Sequence, residues 1–302
     1  MDKFIPAIRS MRLRTLPLSL AGVLLGTLLA VADYKVKGLA VLFLVLTTVS
    51  LQILSNLSNE LGDVLHGTDT ADRQGPAYGL NGGALTVTDM KRLIALFVGL
   101  CVVFGLAMIK VSFSRIFSLD GLCLVLLGFA AISGAMKYTL GRNPYGYRGL
   151  GDVFVFLFFG LVAVLGAYFV VAHTVPGWAL LLPAAGMGFF SIGVLNVNNI
   201  RDMKTDAANR TTVAIRLGLR NARIYQTVLI VLGWACMIGY CLVRFFDPWH
   251  YLFLVTLPLY GIHLRGVWTR EDRALDPMLP LLVLSTFALA LLMGFGFVKF
   301  LL

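Results

Sequence analysis

Nine apolar stretches, roughly residues 16–32, 38–55, 93–109, 119–136, 151–172, 178–197, 226–243, 249–264 and 279–298, run through this 302-residue chain. Most approach or exceed the ~17–25 apolar residues with which an α-helix crosses a bilayer core. Leu, Val, Phe and Gly dominate them without strict alternation at period two, so they read as helices rather than barrel strands. Only 13% of the residues are charged and the mean hydropathy is +0.87, far from a soluble globular composition. The expectation is an all-α, polytopic membrane protein of nine transmembrane helices.

Positive charge orients such a bundle. With the N-terminus cytoplasmic, only six of the 25 basic residues fall outside: Lys35, Lys37, Lys110, Arg115, Arg244 and Lys299. The net charge of +10 then lies beside an anionic lipid surface and calls for no nucleic-acid partner. The opening MDKFIPAIRSMRLRTLP has no small-residue cleavage pattern, so the first apolar segment is expected to be retained. Cys101, Cys123, Cys236 and Cys241 all fall within apolar segments without metal-like spacing and read as packing residues.

Two polar words interrupt this apolar pattern, each Asn-x-x-x-Asp: Asn59 to Asp63, and Asn198 to Asp202. Asn56, Glu60, Asp69 and Asp72 lie near the first, and Asn196, Asn199 and Asp206 near the second. Residues four apart share a helix face, so Asn59 with Asp63, and Asn198 with Asp202 and Asp206, would stack oxygens. Carboxylate and amide oxygens suit Mg2+ or Ca2+, and Mg2+ takes few protein oxygens while bridging to substrate phosphates. Both words fall on the cytoplasmic side, one after the second apolar segment and one after the sixth. This spacing divides the single domain, 1–302, into halves of about 1–140 and 141–265 plus a ninth helix, around a central cavity open to the cytoplasm.

Asp69, Asp72 and Asp89 also fit as solvated loop residues. Asp63 and Asp202 lie within a turn or two of an apolar span, where a carboxylate is costly unless a cation meets it. The run GLNGGALT (79–86) lacks a phosphate-loop pattern and reads as a flexible turn. The four histidines are scattered, against a zinc site.

The runs QILSNLSNELGDVLHGTDTADRQGP (52–76) and NVNNIRDMKTDAANRTTVAIRLG (196–218) resemble the two signature regions of the UbiA-type intramembrane prenyltransferases. RLRTLPLSLAGVLLGT (12–27) and YTLGRNPYGYRGLGDVFVFLFFG (138–160) resemble that family's N-terminal and central segments. Glu60 stands where the usual first motif has Asp, and the next carboxylate after Asp63 is Asp69. This spacing resembles the branch that prenylates 1,4-dihydroxy-2-naphthoate on the way to menaquinone, and leaves open which of Asp69 and Asp72 reaches a metal.

The resemblance implies transfer of a polyprenyl group from polyprenyl diphosphate to 1,4-dihydroxy-2-naphthoate, with Mg2+ assisting diphosphate ionisation, in the inner membrane of a bacterium. It implies Asn59, Asp63, Asp202 and Asp206 as the catalytic, metal-holding set, with Asp69 and Asn198 as further ligands. Arg73, Arg210 and Lys204 would meet diphosphate. Tyr138, with Phe154, Phe156, Phe158, Phe159 and Tyr147, would face an allylic cation. Arg12, Arg14 or Arg148 would meet the acceptor's carboxylate. The alternatives are a sibling using 4-hydroxybenzoate, a haem or a chlorophyll-type acceptor, or a cation-coupled transporter with the same intramembrane acids.

Overall fold

The computed structural model describes residues 3–68, 77–207, 209–244 and 247–298, and among these every regular element is helical. A short α1 (Phe4–Ser10) precedes α2 (Leu16–Asp33), α3 (Gly38–Leu65), α4 (Val87–Phe113) and α5 (Leu119–Lys137). Then come α6 (Gly151–Ala172), α7 (Leu181–Arg201), the one-turn α8 (Met203–Asp206), α9 (Val213–Val243), α10 (Leu257–Thr269) and α11 (Met278–Val298). Among the described residues, eight of the expected segments are helices long and apolar enough to cross a membrane, and the protein is a multi-pass membrane protein. The remaining expected segment, 249–264, is also helical, as a 3-10 run Pro248–Thr256 leading into α10. Trp249, His250, Tyr251, His263 and Arg265 make it less apolar than the others.

Several helices outrun the apolar stretch that announced them. α3 continues ten residues past 55 because its polar tail is turned inward, with Asn56, Ser58, Glu60 and Asp63 all buried. α4 starts at Val87 because Thr86 and Asp89 form a reciprocal capping box. Lys3 closes on Asp89 at 2.6 Å, so that carboxylate is structural. α9 begins well before 226 and breaks at Gly218, whose φ of 74° is open to glycine at little cost.

α2 is central: it packs on α3, α6 and α7, and the last helix, α11, lies along it. Small residues allow the closest approaches. A methyl group at Gly26 would collide with the carbonyl of Val164, and one at Gly160 would stand 2.6 Å from the carbonyl of Ala184. Between these contacts α6 is wound as a π-helix over Phe156–Gly166. Local π geometry recurs at functional sites. α5 buries only Gly121 and Gly134, and α2, α3, α5 and α6 enclose a cavity of about 350 Å3.

Candidate active site

Gln52, Asn56, Asn59 and Asp63 recur at helical spacing on α3, and the first three line the cavity. Gln52 Nε2 donates to Asn56 Oδ1 at 3.2 Å, while Asn56 Nδ2 donates to Met11 O at 2.8 Å and Thr15 Oγ1 at 2.9 Å. Asn56 therefore ties the N-terminal segment to the cavity wall. Thr139 donates to Asn59 Oδ1 at 3.2 Å, next to Gly62, where any side chain would strike it. One turn on, Asp63 is buried, and its Oδ1 accepts from the Tyr147 hydroxyl at 2.7 Å and from Arg210 Nη2 at 3.0 Å.

Glu60 belongs to a different task. Fully buried, it accepts from the backbone N–H of Leu80 at 2.7 Å and of Asn81 at 3.2 Å. The run 79–86, expected as a flexible turn, is thus an anchored one, with Gly79 N–H also donating to Ser10 Oγ.

The second word is not one continuous helical stack. α7 ends at Arg201, Asp202 leaves helical geometry (φ −93°, ψ 5°), and α8 carries Asp206. Arg201 is 4% exposed and holds Asp202 with two bonds, Nε to Oδ1 at 2.8 Å and Nη2 to Oδ2 at 2.6 Å. Its remaining donors reach Asn198 Oδ1 at 2.9 Å and Asp276 Oδ1 at 2.6 Å. The turn after α8 folds Arg210 back so that its Nε lies 3.6 Å from Asp206 Oδ1. Arg210 therefore joins the two words, Asp63 on one side and Asp206 on the other.

Burial disfavours the charged form of Arg210, but Asp63 and Asp206 more than offset this, and the guanidinium is held above its usual range. Burial first, and then the charge of Asp63, push the Tyr147 phenol up, which keeps it a neutral donor under Arg210.

Below the polar mouth the cavity turns aromatic. Tyr145 stacks on Phe154 at 3.9 Å between ring centres, and Tyr138, Phe158 and Phe159 complete the wall. Phe156 does not take part, as it points to α7 and packs on Gly188 and Phe189. Tyr147 stands above, as a partner of Asp63 rather than as lining.

Other expected residues are engaged elsewhere. Lys204 is 71% exposed and pairs with Asp272 at 2.7 Å, outside the cluster around Asp63. The turn at Asp202 directs it outward. Arg148 is exposed. Arg12 lies 4.1 Å over the Tyr78 ring and Arg14 donates to the Tyr78 hydroxyl at 2.9 Å, so one tyrosine holds both. Asp69, Asp72 and Arg73 lie outside the described residues. Sequence reasoning missed Gln52, Thr68 and Thr139 as site partners. Only Gln52 carried a signal, being four residues before Asn56 on the same face.

Among the described residues no three His, Cys, Asp or Glu side chains converge on one point as a ready metal cage. The donors present are still those a hard cation takes, and a guanidinium already stands between two carboxylates. An open, oxygen-only set fits Mg2+, which is held by one or two carboxylates plus substrate phosphates.

The sequence model of the UbiA prenyltransferase family matches residues 19–291. The chain belongs to the UbiA prenyltransferase family. As a UbiA protein it is 39% identical over 275 residues to a 1,4-dihydroxy-2-naphthoate octaprenyltransferase of Escherichia coli, covering 90% of this chain and 88% of that one. It is 36% identical to the enzyme of the same name from Haemophilus influenzae, with 94% of each chain covered. Among solved structures, a UbiA homologue from Aeropyrum pernix K1 in its apo form superposes with a TM-score of 0.69 at 15% identity, covering 95% of this chain and 98% of that one. A UbiA homologue from Archaeoglobus fulgidus bound to GPP and Mg2+ gives 0.59 at 14% identity, covering 93% and 99%. These two share the fold. Membership in a prenyltransferase family displaces the transporter alternative.

Proposed function

We propose that this protein transfers a polyprenyl group from polyprenyl diphosphate to 1,4-dihydroxy-2-naphthoate, with loss of the acceptor's carboxyl group, giving demethylmenaquinol in menaquinone biosynthesis. Two relatives that carry this activity in their names align over most of their length. The observation that carries the reading is Arg210 joining Asp63 and Asp206 one turn above an aromatic-lined cavity. The bacterial relatives and the basic bias of one face support an inner-membrane location with the N-terminus and the mouth cytoplasmic. The whole chain, 1–302, is one domain whose halves each end a span in an acidic word.

Asn59, Asp63, Asn198, Asp202 and Asp206, with Asp69, would hold Mg2+, which would supply positive charge against that developing on the departing diphosphate. Arg210 and Arg73 grip phosphate oxygens bidentately. As the allylic C–O bond breaks, its electron pair leaves with the diphosphate. Tyr138, Phe154, Phe158 and Phe159 face the cation with π density and exclude water. Arg12, Arg14 or Arg148 would meet the acceptor's carboxylate.

The test is purified protein with Mg2+, radiolabelled polyprenyl diphosphate and a panel of aromatic acceptors. Labelled product with 1,4-dihydroxy-2-naphthoate and little with 4-hydroxybenzoate is expected. The reverse preference would make this protein a sibling enzyme.

A further inference from the structure

In the structure the carboxylates of both words are already met by cations. Three carboxylates, Asp63, Asp202 and Asp206, face two guanidiniums, Arg210 and Arg201. The two arginines are bound differently. Arg201 is engaged through each of its nitrogens, which donate at 2.6 to 2.9 Å. Arg210 is not. Its Nη2 donates to Asp63 at 3.0 Å and to Thr68 Oγ1 at 3.2 Å, but its Nε is buried without a hydrogen-bond partner, 3.6 Å from Asp206. A buried charged donor left unmatched is costly, and an arriving phosphate oxygen is the acceptor it lacks.

We propose that Arg210 is an internal placeholder cation. It neutralises Asp63 and Asp206 while the site is empty, moves to the phosphate oxygens when diphosphate enters, and so frees those carboxylates for the metal. Resting on the metal–diphosphate reading above, this makes binding of divalent metal conditional on diphosphate. A bare divalent cation approaching Asp63 meets a guanidinium 3.0 Å from the same oxygen. Diphosphate reverses that local balance by adding negative charge and taking up the guanidinium. Tyr147 and Thr68 form the seat to which Arg210 returns after product leaves.

The experiment is Mn2+ binding, read by electron paramagnetic resonance, to the full chain in nanodiscs, with and without inorganic pyrophosphate and with no prenyl donor. Wild type is expected to bind Mn2+ weakly alone and at least about tenfold more tightly with pyrophosphate. Arg210→Met is expected to bind Mn2+ alone about tenfold more tightly than wild type, with most of the pyrophosphate enhancement gone. Unchanged Mn2+ affinity in that variant, while wild type keeps its enhancement, overturns the placeholder. Absence of enhancement in wild type instead removes the metal–diphosphate reading itself. If Arg210→Met does not give monodisperse protein, Arg210→Lys decides. It keeps the charge but loses the fork and the Tyr147 stacking, and is expected to raise metal-alone affinity by about threefold. No rise there also overturns the proposal.

Discussion

The Tyr147 hydroxyl and the Arg210 guanidinium converge on the same oxygen of Asp63, at 2.7 and 3.0 Å, although Arg210 is 147 residues away in sequence. Tyr147 thus fixes the orientation of the Asp63 carboxylate. Tyr147→Phe deletes the donor and keeps the ring beneath Arg210. Losing one hydrogen bond to a charged group costs about 1.5–3 kcal/mol, so kcat/KM for the prenyl donor should fall roughly ten- to hundredfold. An unchanged value would show that Asp63 needs no such support.

Carboxylates near the two words should differ sharply in importance. Asp63→Ala or Asp202→Ala should abolish turnover in protein that still inserts and purifies, because each removes an oxygen facing the cations. EDTA should do the same, reversibly on adding Mg2+. Asp89→Ala should matter far less, since its carboxylate is engaged in the cap of α4 and by Lys3. Equal losses at Asp89 and Asp206 would contradict this division.

Arg201 and Lys204 offer a second contrast from neighbouring positions. Arg201→Ala strips a buried cation from Asp202, Asn198 and Asp276, and breaking a buried pair costs about 3–5 kcal/mol. The low end applies because Asp276 is 42% exposed. Thermal stability and turnover should fall together. Lys204→Ala loses only an exposed pair with Asp272 and should change neither measurably. A large loss of turnover in Lys204→Ala would return that residue to the substrate site.

What the sequence could reveal follows the same division. Apolar length announced the spans, and spacing placed Asn59 with Asp63, because both are properties of one helix. Glu60 looked equivalent to its neighbours, yet it is turned away to hold Leu80 and Asn81, a loop contact with no local signature. Lys204 and Arg210 are both basic residues after the second word. Only the break at Asp202 sends one outward and folds the other back onto Asp63. The segment 249–264 reads as a span by its apolar count, but Pro248 just before it opens a 3-10 run, and a shorter helix with Pro258 in its first turn follows.

Gly128 tests whether the cavity holds the prenyl chain. It lines the wall on α5, and a Cβ built there meets no atom within 4 Å, so a larger side chain fits the fold while intruding on the cavity. Gly128→Leu should therefore insert and fold normally. A long donor must then compete with the new side chain, and overfilling a packed apolar space costs about 1–3 kcal/mol, roughly five- to hundredfold in kcat/KM. A short donor such as geranyl diphosphate, which need not extend past Gly128, should be little affected. The measurement is kcat/KM across donors of increasing length in wild type and variant, with saturating acceptor. Equal losses at every length would mean that Gly128 acts on the fold or on the acceptor, and that the chain runs elsewhere.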